Sequence, residues 1–219
     1  MCGCMNVTDD INIKDLMEEL GMPSYPANTT GDLLTDTVST PSLELKPSQS
    51  TLAIIRQKNA LSPKQVQWGI QPNWSKTLLI NAKSETIHDK ITFKQAFKQQ
   101  RALIPCQGWY EWKSPLSSSH ALKNPIKKDK YLIKHQSLSP MLMAAVYFPN
   151  ENQFVTLTSQ PNDYLASVHH SMPVIISKEQ AQEWVLGDSQ TAEGLFLSQQ
   201  QAPYTASMIT QEQPNLLLF

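Results

Sequence analysis

Eight consecutive residues, Met141-Leu-Met-Ala-Ala-Val-Tyr-Phe148, carry no charge and almost no polarity. A run this short has the length of a strand, and side chains along a strand alternate between its two faces. A strand apolar on both faces must be covered on both, so the fold has to supply a layer on each side. Other segments read as strands: Thr51 to Arg56, Lys64 to Ile70, Ala102 to Ile104, Trp109 to Trp112, Tyr131 to Lys134 and Phe154 to Thr158. Gln71, Pro72 and Asn73 break the pattern after the second of these. Helical spacing is clear in three places. Ile11, Ile13, Leu16, Met17 and Leu20 mark a short amphipathic helix ended by Gly21, with Asp9 or Asp10 as its cap. Phe93, Ala96, Phe97 and Gln100 mark a second from Thr92 to Arg101, capped by Thr92, and Lys178 to Leu186 reads as a third. Many short strands, few helices and no regular alternation predict an α+β domain around a curved, mostly antiparallel, barrel-like sheet. The 219 residues suit one domain spanning 1–219, with 22–50 and 114–130 as surface loops. The tail from Ala202 ends in Leu216, Leu217, Leu218 and Phe219, too apolar to be left in water.

Composition narrows the partners. Hydrophobic residues make up 40%, as in a globular chain, but charged residues only 17%, against roughly 25% in an average domain. The net charge is −1 and the pI near 6.5, so no global basic field attracts nucleic acid, and any such partner needs a local patch. Arg56 and Arg101 are the only arginines. No run of about 18 apolar residues predicts a membrane span. The N-terminus lacks the basic-then-apolar pattern of a secretory signal, and three cysteines (Cys2, Cys4 and Cys106) do not make a disulfide framework. A cytoplasmic protein, with no membrane partner and a monomeric state, is the expectation.

A few residues could do chemistry. Removal of Met1 would leave Cys2 with an α-amine and a thiol on adjacent carbons, with ordinary pKa values of about 7.7–8.0 and about 8.5. A 1,2-aminothiol condenses with an aldehyde to a Schiff base and then closes a thiazolidine ring, with the entropic advantage of an intramolecular step. Taken alone, Cys2 is equally an incidental residue on a chain end, and Cys2 with Cys4 could be a Cys-x-Cys metal or redox pair, although no zinc-like partner cluster accompanies them. Glu111 stands in Gly108-Trp-Tyr-Glu-Trp112. A carboxylate desolvated among aromatic rings keeps its proton to higher pH; alternation alone would equally put Glu111 in water and Tyr110 and Trp112 in the core. His169 and His170 precede an apolar strand, where an imidazole is placed for proton transfer or is merely at the surface. Asn81 follows Leu78-Leu-Ile80 and could simply satisfy backbone groups. Trp68 and Trp74 offer stacking faces for bases, or core packing.

Met1-Cys-Gly3, Trp68-Gly-Ile-Gln-Pro-Asn-Trp74, Asn81-Ala-Lys-Ser-Glu-Thr86, Ile104-Pro-Cys-Gln-Gly-Trp-Tyr-Glu-Trp112 and His169-His-Ser-Met-Pro173 occur in that order. Their order and spacing resemble the SOS-response-associated peptidase family, also called SRAP or abasic-site processing proteins. The likeness runs from residue 2 to about 186. It implies an SRAP domain with a groove for single-stranded DNA containing abasic sites, and no cofactor or metal. It implies Cys2 as nucleophile, Asn81 orienting the reacting ends, Glu111 as acid catalyst and His169 as proton handler. It further implies a covalent thiazolidine link that shields the abasic site in the DNA damage response, and an autopeptidase activity releasing the residue before Cys2.

The chain departs from that pattern where the family grips DNA. Cys4, Gln67, Lys83 and Ser171 stand where arginines are usual. Lysine holds phosphate as a point charge without the planar fork. Lys83, Lys76 and Arg101, with Trp68 and Trp74, are the candidate DNA contacts, and Lys94 and Lys98 could add charge. Two other readings stay open: an N-terminal-nucleophile cysteine amidohydrolase, and a single-stranded DNA-binding module with weakened catalysis.

Overall fold

The computed structural model describes residues 3–7, 11–22, 44–113, 128–196 and 203–209. The chain runs β1 (Met5–Asn6), α1 (Ile11–Glu19), β2 (Ser50–Gln57), β3 (Ala60–Trp68), β4 (Asn81–Lys83), α2 (Ile91–Gln99), β5 (Arg101–Cys106) and β6 (Gly108–Lys113). It continues through β7 (Asp129–His135), β8 (Met141–Phe148), β9 (Gln153–Ser159), α3 (Asp163–Ala166), β10 (Met172–Pro173), β11 (Ile175–Ile176), α4 (Ala181–Leu186), α5 (Ser189–Gly194) and β12 (Tyr204–Met208). Cys2, Asp9 and Asp10, most of both expected loops, and Leu216 to Phe219 lie outside the described residues.

Two sheets carry the fold. In the larger, β2 and β3 form a hairpin in which Gln57 faces Ala60. Its two turn residues, Lys58 (φ 48°) and Asn59 (φ 60°), are both left-handed, as a two-residue hairpin turn of this twist requires. β2 continues to β5 and β5 to β8, all antiparallel. β8 then pairs with β9, and β9 runs parallel to β3, which closes the five strands into a ring. The smaller sheet has the order β1–β6–β7–β12. Gln107 is the single residue between β5 and β6, so one continuous stretch passes from the ring into the smaller sheet. Gly108 opens β6 because a Cβ there would stand 2.3 Å from the Ile133 carbonyl oxygen.

The expectation for Met141 to Phe148 holds residue by residue. Leu142, Ala144 and Val146 pack with Leu16, Met17, Phe97 and Trp184 from the helices. Met141, Met143, Ala145 and Tyr147 pack on the other side with Trp68, Phe154, Trp109 and Met5. At full burial each large apolar side chain contributes about 1.5–3 kcal/mol, which makes this two-sided strand the centre of the core.

Three differences from the sequence reading matter. The helix expected to run to Arg101 stops at Gln99, with Lys90 rather than Thr92 at its cap, and Arg101 opens β5. Lys178 to Leu186 divides into a 3-10 turn over Lys178–Gln180 followed by α4. The two-residue strands β10 and β11 wedge between β9 and β8: Pro173 aligns with Thr158, Ile176 with Leu142, and the Val174 carbonyl accepts from the Ala144 N–H. That wedge fixes the segment that begins at His169.

Candidate active site

On β6 the alternation runs opposite to the ordinary expectation. Trp109 is fully buried and Glu111, two residues on and on the same face, has a side chain only 2% exposed. Trp112, on the other face, is 38% exposed. Glu111 therefore points into the layer between the sheets, among Trp109 and its neighbours.

The partner it meets there is His169. The Glu111 Oε2 stands 3.6 Å from His169 Nε2, while Oε1 is buried without a hydrogen-bond partner. His169 reaches this position from the end of α3. Asn162 caps that helix by accepting from the Leu165 N–H, and the His169 N–H bonds to the Leu165 carbonyl at 2.9 Å. At its other nitrogen, His169 Nδ1 lies 3.0 Å from the Ser171 carbonyl oxygen and 3.2 Å from the Ser171 amide nitrogen. With the carbonyl, Nδ1 carries the proton and Nε2 offers a lone pair to Glu111; with the amide, the tautomer reverses. The exposed His170 lies against His169 with ring centroids 4.1 Å apart and the planes tilted by 35°.

Burial moves the two groups toward each other. Loss of solvation raises the Glu111 carboxyl to about 7. It also lowers the His169 imidazole, against the Ser171 carbonyl, which favours its proton. An acid that keeps its proton to neutral pH beside an imidazole that gives its proton up early is a pair that can pass one proton between them.

Asn81 opens β4 and aligns with Thr156 of β9, which in turn aligns with Ala145 of β8. Ala145 packs in the same layer as Trp109, so Asn81 faces the same inter-sheet space as Glu111. Its carboxamide oxygen accepts from the Thr156 hydroxyl. Thr156 gave no signal in the sequence; only the pairing of β4 with β9 brings it to Asn81.

The N-terminal arm arrives at the same place. Met5 aligns with Trp109 and Asn6 with Gly108, and the Tyr110 N–H bonds to the Cys4 carbonyl at 2.9 Å. Continued by two residues from Met5 and Trp109, this antiparallel register would set Gly3 across from Glu111. Met5 packs in the inner layer, and residues two apart along a strand share a face.

Of the expected DNA contacts, two are corrected. Trp68 is fully buried, stacks on Phe154 and donates its indole N–H to the Ile80 carbonyl at 2.9 Å; it is core and offers no face to a base. Arg101 is 2% exposed and donates to the carbonyls of Phe97 (2.7 Å), Lys98 (3.1 Å), Trp184 and Gly187. It ties α2 to the end of α4 and is out of reach of phosphate. Trp74 is 70% exposed, and Lys76, Lys83, Lys94 and Lys98 are exposed. Gln67 is held by Gln153 and the Ser48 carbonyl. Cys4 is buried and its thiol is pushed up to about 11, first by burial and then by Glu44, so it stays protonated.

The model of the family described as SOS response associated peptidase (SRAP) matches residues 1–213. The chain belongs to the SRAP family. It is 27% identical over 197 residues to the abasic site processing protein YoqW of Bacillus subtilis, covering 84% of this chain and 80% of that one. It is 31% identical over 151 residues to YoaM of the same organism, also named an abasic site processing protein, covering 66% of each. The crystal structure of a phage-related protein from Bordetella bronchiseptica superposes with a TM-score of 0.72 at 25% identity, covering 96% of this chain and 95% of that one. Among the described residues no helix is long and apolar enough to cross a membrane.

Proposed function

We propose that this SRAP protein captures the ring-opened aldehyde of an abasic site in single-stranded DNA, using Cys2 freed of Met1, and holds it as a thiazolidine. The Cys2 amine adds to the aldehyde carbon, forming a C–N bond and a carbinolamine. Glu111, protonated near neutral pH, gives its proton to the departing hydroxyl, so that water leaves and an imine remains. The Cys2 thiolate then adds to the imine carbon, and the ring nitrogen takes up a proton. The sum is aldehyde plus aminothiol to thiazolidine plus water, with no oxidant or metal in the balance. His169 moves the proton at the sugar and returns it to Glu111, and Asn81 orients the reacting ends. Stopping the aldehyde from undergoing β-elimination protects the strand. The same acid and nucleophile, acting on the Met1–Cys2 peptide, would release the residue before Cys2.

One observation carries the reading: β1 pairs Met5 with Trp109, two residues from a buried carboxyl that stands 3.6 Å from an imidazole, and the same register continued toward the N-terminus runs to Glu111. Residue 2 is one peptide, about 3.8 Å, beyond Gly3. The names of the curated relatives support abasic DNA as the substrate. The amidohydrolase reading lacks a comparable support.

The test is a denaturing gel of the processed protein with an abasic oligonucleotide. A shifted band is expected, abolished by Cys2→Ala and slowed by Glu111→Gln and His169→Ala. An adduct that persists in Cys2→Ala would remove the nucleophile from the scheme. Glutamine hydrolysis without any adduct would favour the amidohydrolase.

A further inference from the structure

Cys4, at a position where the family usually has arginine, sits in a cluster that the mechanism does not use. The strand that follows it, β1, is held on both edges. On one side β1 pairs with β6; on the other, the Met5 N–H and carbonyl bond to the Leu45 carbonyl and N–H at 2.9 and 2.8 Å. The arm is thus threaded between residue 45 and β6. Glu44, the neighbour of Leu45, places Oε2 4.0 Å from the Cys4 sulfur and Oε1 on the Lys130 ammonium. Lys130 lies on β7 across from Trp112, and its ammonium stands 4.2 Å above the Tyr110 ring and 5.6 Å from that of Trp112. Cys4, Glu44 and Lys130 therefore form a chain of contacts over the face of β6 opposite to Glu111, from the N-terminal arm across to β7. The thiol, kept protonated, is the donor at one end, and the ammonium is the donor at the other.

We propose that Glu44 and Lys130 are positioning residues, a strap that locks the register of the N-terminal arm on β6 and so delivers residue 2 to Glu111. The physical need is plain. A one-residue slip between paired strands turns every side chain to the opposite face. Here it would take Cys4 into the inner layer and Met5 out of it, and would carry the reacting end away from the carboxyl. β1 has only two residues of its own to resist such a slip. A half-buried ion pair stacked on aromatic faces is a suitable lock, because it is screened less than a surface pair and adds a cation–π contact. This inference rests on the proposed function for its consequence, but the strap itself is measured separately.

The experiment uses the full processed chain. Amide hydrogen exchange of the peptide covering residues 2–7 reads the strap; the adduct rate at saturating abasic oligonucleotide reads the consequence. Glu44→Gln and Lys130→Met are expected to speed exchange in that peptide roughly tenfold and to slow the saturating adduct rate by a similar factor. Exchange in β2, β5 and β8 and the DNA concentration for half-maximal rate should stay unchanged. Lys130→Arg, which keeps the cation over Tyr110, should restore both. Lys178→Met, which removes the exposed Glu19–Lys178 pair, is the control expected to change neither. Unchanged exchange at residues 2–7, or exchange raised equally across the ring, would overturn the strap. So would a shift confined to half-saturation, which would make Lys130 a phosphate contact. Absence of an adduct in the parent protein would count against the proposed function alone and leave the exchange result to judge the strap.

Discussion

Arg101 and Glu111 lie at two ends of one continuous stretch, each 2% exposed, and the molecule treats them in opposite ways. Arg101 meets four carbonyl oxygens and has its fork filled. Burial lowers it to about 10, which still leaves it a cation at neutral pH. Glu111 has one oxygen with no partner and the other 3.6 Å from an imidazole, beyond a good hydrogen bond. A buried group with every polar atom matched contributes to holding the structure; one left incompletely matched is a candidate for chemistry, the role the proposed function gives Glu111. The contrast tells the two groups apart where burial, 2% for each, does not.

The largest expected effect tests the structural side. Arg101→Met keeps the bulk and removes every donor, leaving carbonyls of α2 and α4 facing nothing. Unmatched buried polar groups of this kind cost about 3–5 kcal/mol in total. For a chain of this size that is a fall in Tm of roughly 10 °C or more. A shift under about 2 °C would mean that Arg101 is no better satisfied than Glu111 and that the contrast is false.

The chemical side is tested next, with Glu111→Gln and a pH series. Burial lifts this carboxyl from 4.5 to about 7, so the folded chain holds the proton more tightly than the unfolded chain does. Glu111 therefore favours folding at low pH, and that advantage is lost as pH rises from about 4.5 through about 7. The full excursion is on the order of 3 kcal/mol. His169, with its pKa lowered, runs the other way: its contribution is present above 6.5 and is lost as pH falls through its folded value. The two titrate as a pair, so the excursion is shared between them. Glu111→Gln is expected to be more stable than wild type at pH 8, with the gain fading by pH 5, while the adduct rate falls about a hundredfold below pH 7 and by less above it, where wild-type Glu111 has itself lost its proton. A variant that loses stability at pH 8 would put Glu111 with Arg101 on the structural side. Chemical-denaturation curves at the two pH values decide it.

The same contrast explains what the sequence disclosed. Met141 to Phe148 was legible because its two-sided apolar run admits one solution, a strand covered on both faces. Gly108-Trp-Tyr-Glu-Trp112 marked the right strand but left its facing open, since alternation says which residues share a face and not which face is inside. That choice depends on β1 and β7, which pair with β6 from far along the chain. Arg101 was misread as a phosphate ligand because a cation in the last turn of an expected helix looks exposed when the Trp184 and Gly187 carbonyls that fill its fork lie more than 80 residues away. β1, β4 and β12 escaped notice, and β10 and β11 were read as a single apolar strand, for a related reason. Strands of two or three residues have no period to detect, and β12 exists only as the edge partner of β7. Cys2 was singled out by the family resemblance, since the chemistry of an aminothiol alone left it equally an incidental residue.

The two tryptophans repeat the comparison on a smaller scale. Trp68 has its indole N–H on a carbonyl and its ring on Phe154, whereas Trp74, in the turn between β3 and β4, is 70% exposed. On the proposed function, an exposed ring of this size would give a base a stacking platform, and a sequence-tolerant one, because every base has a π face. Trp74→Ala should leave stability within about 0.5 kcal/mol of wild type. It should weaken single-stranded DNA binding by about 1 kcal/mol, roughly fivefold, at fixed salt. Lys83→Gln should instead flatten the salt dependence, by about one unit of slope, with little preference among sequences. Fluorescence titration of an oligonucleotide at two salt concentrations separates the two effects. If Trp74→Ala binds as wild type while Lys83→Gln does not, the grip is electrostatic alone, and the exposed indole is only the surface counterpart of the buried one.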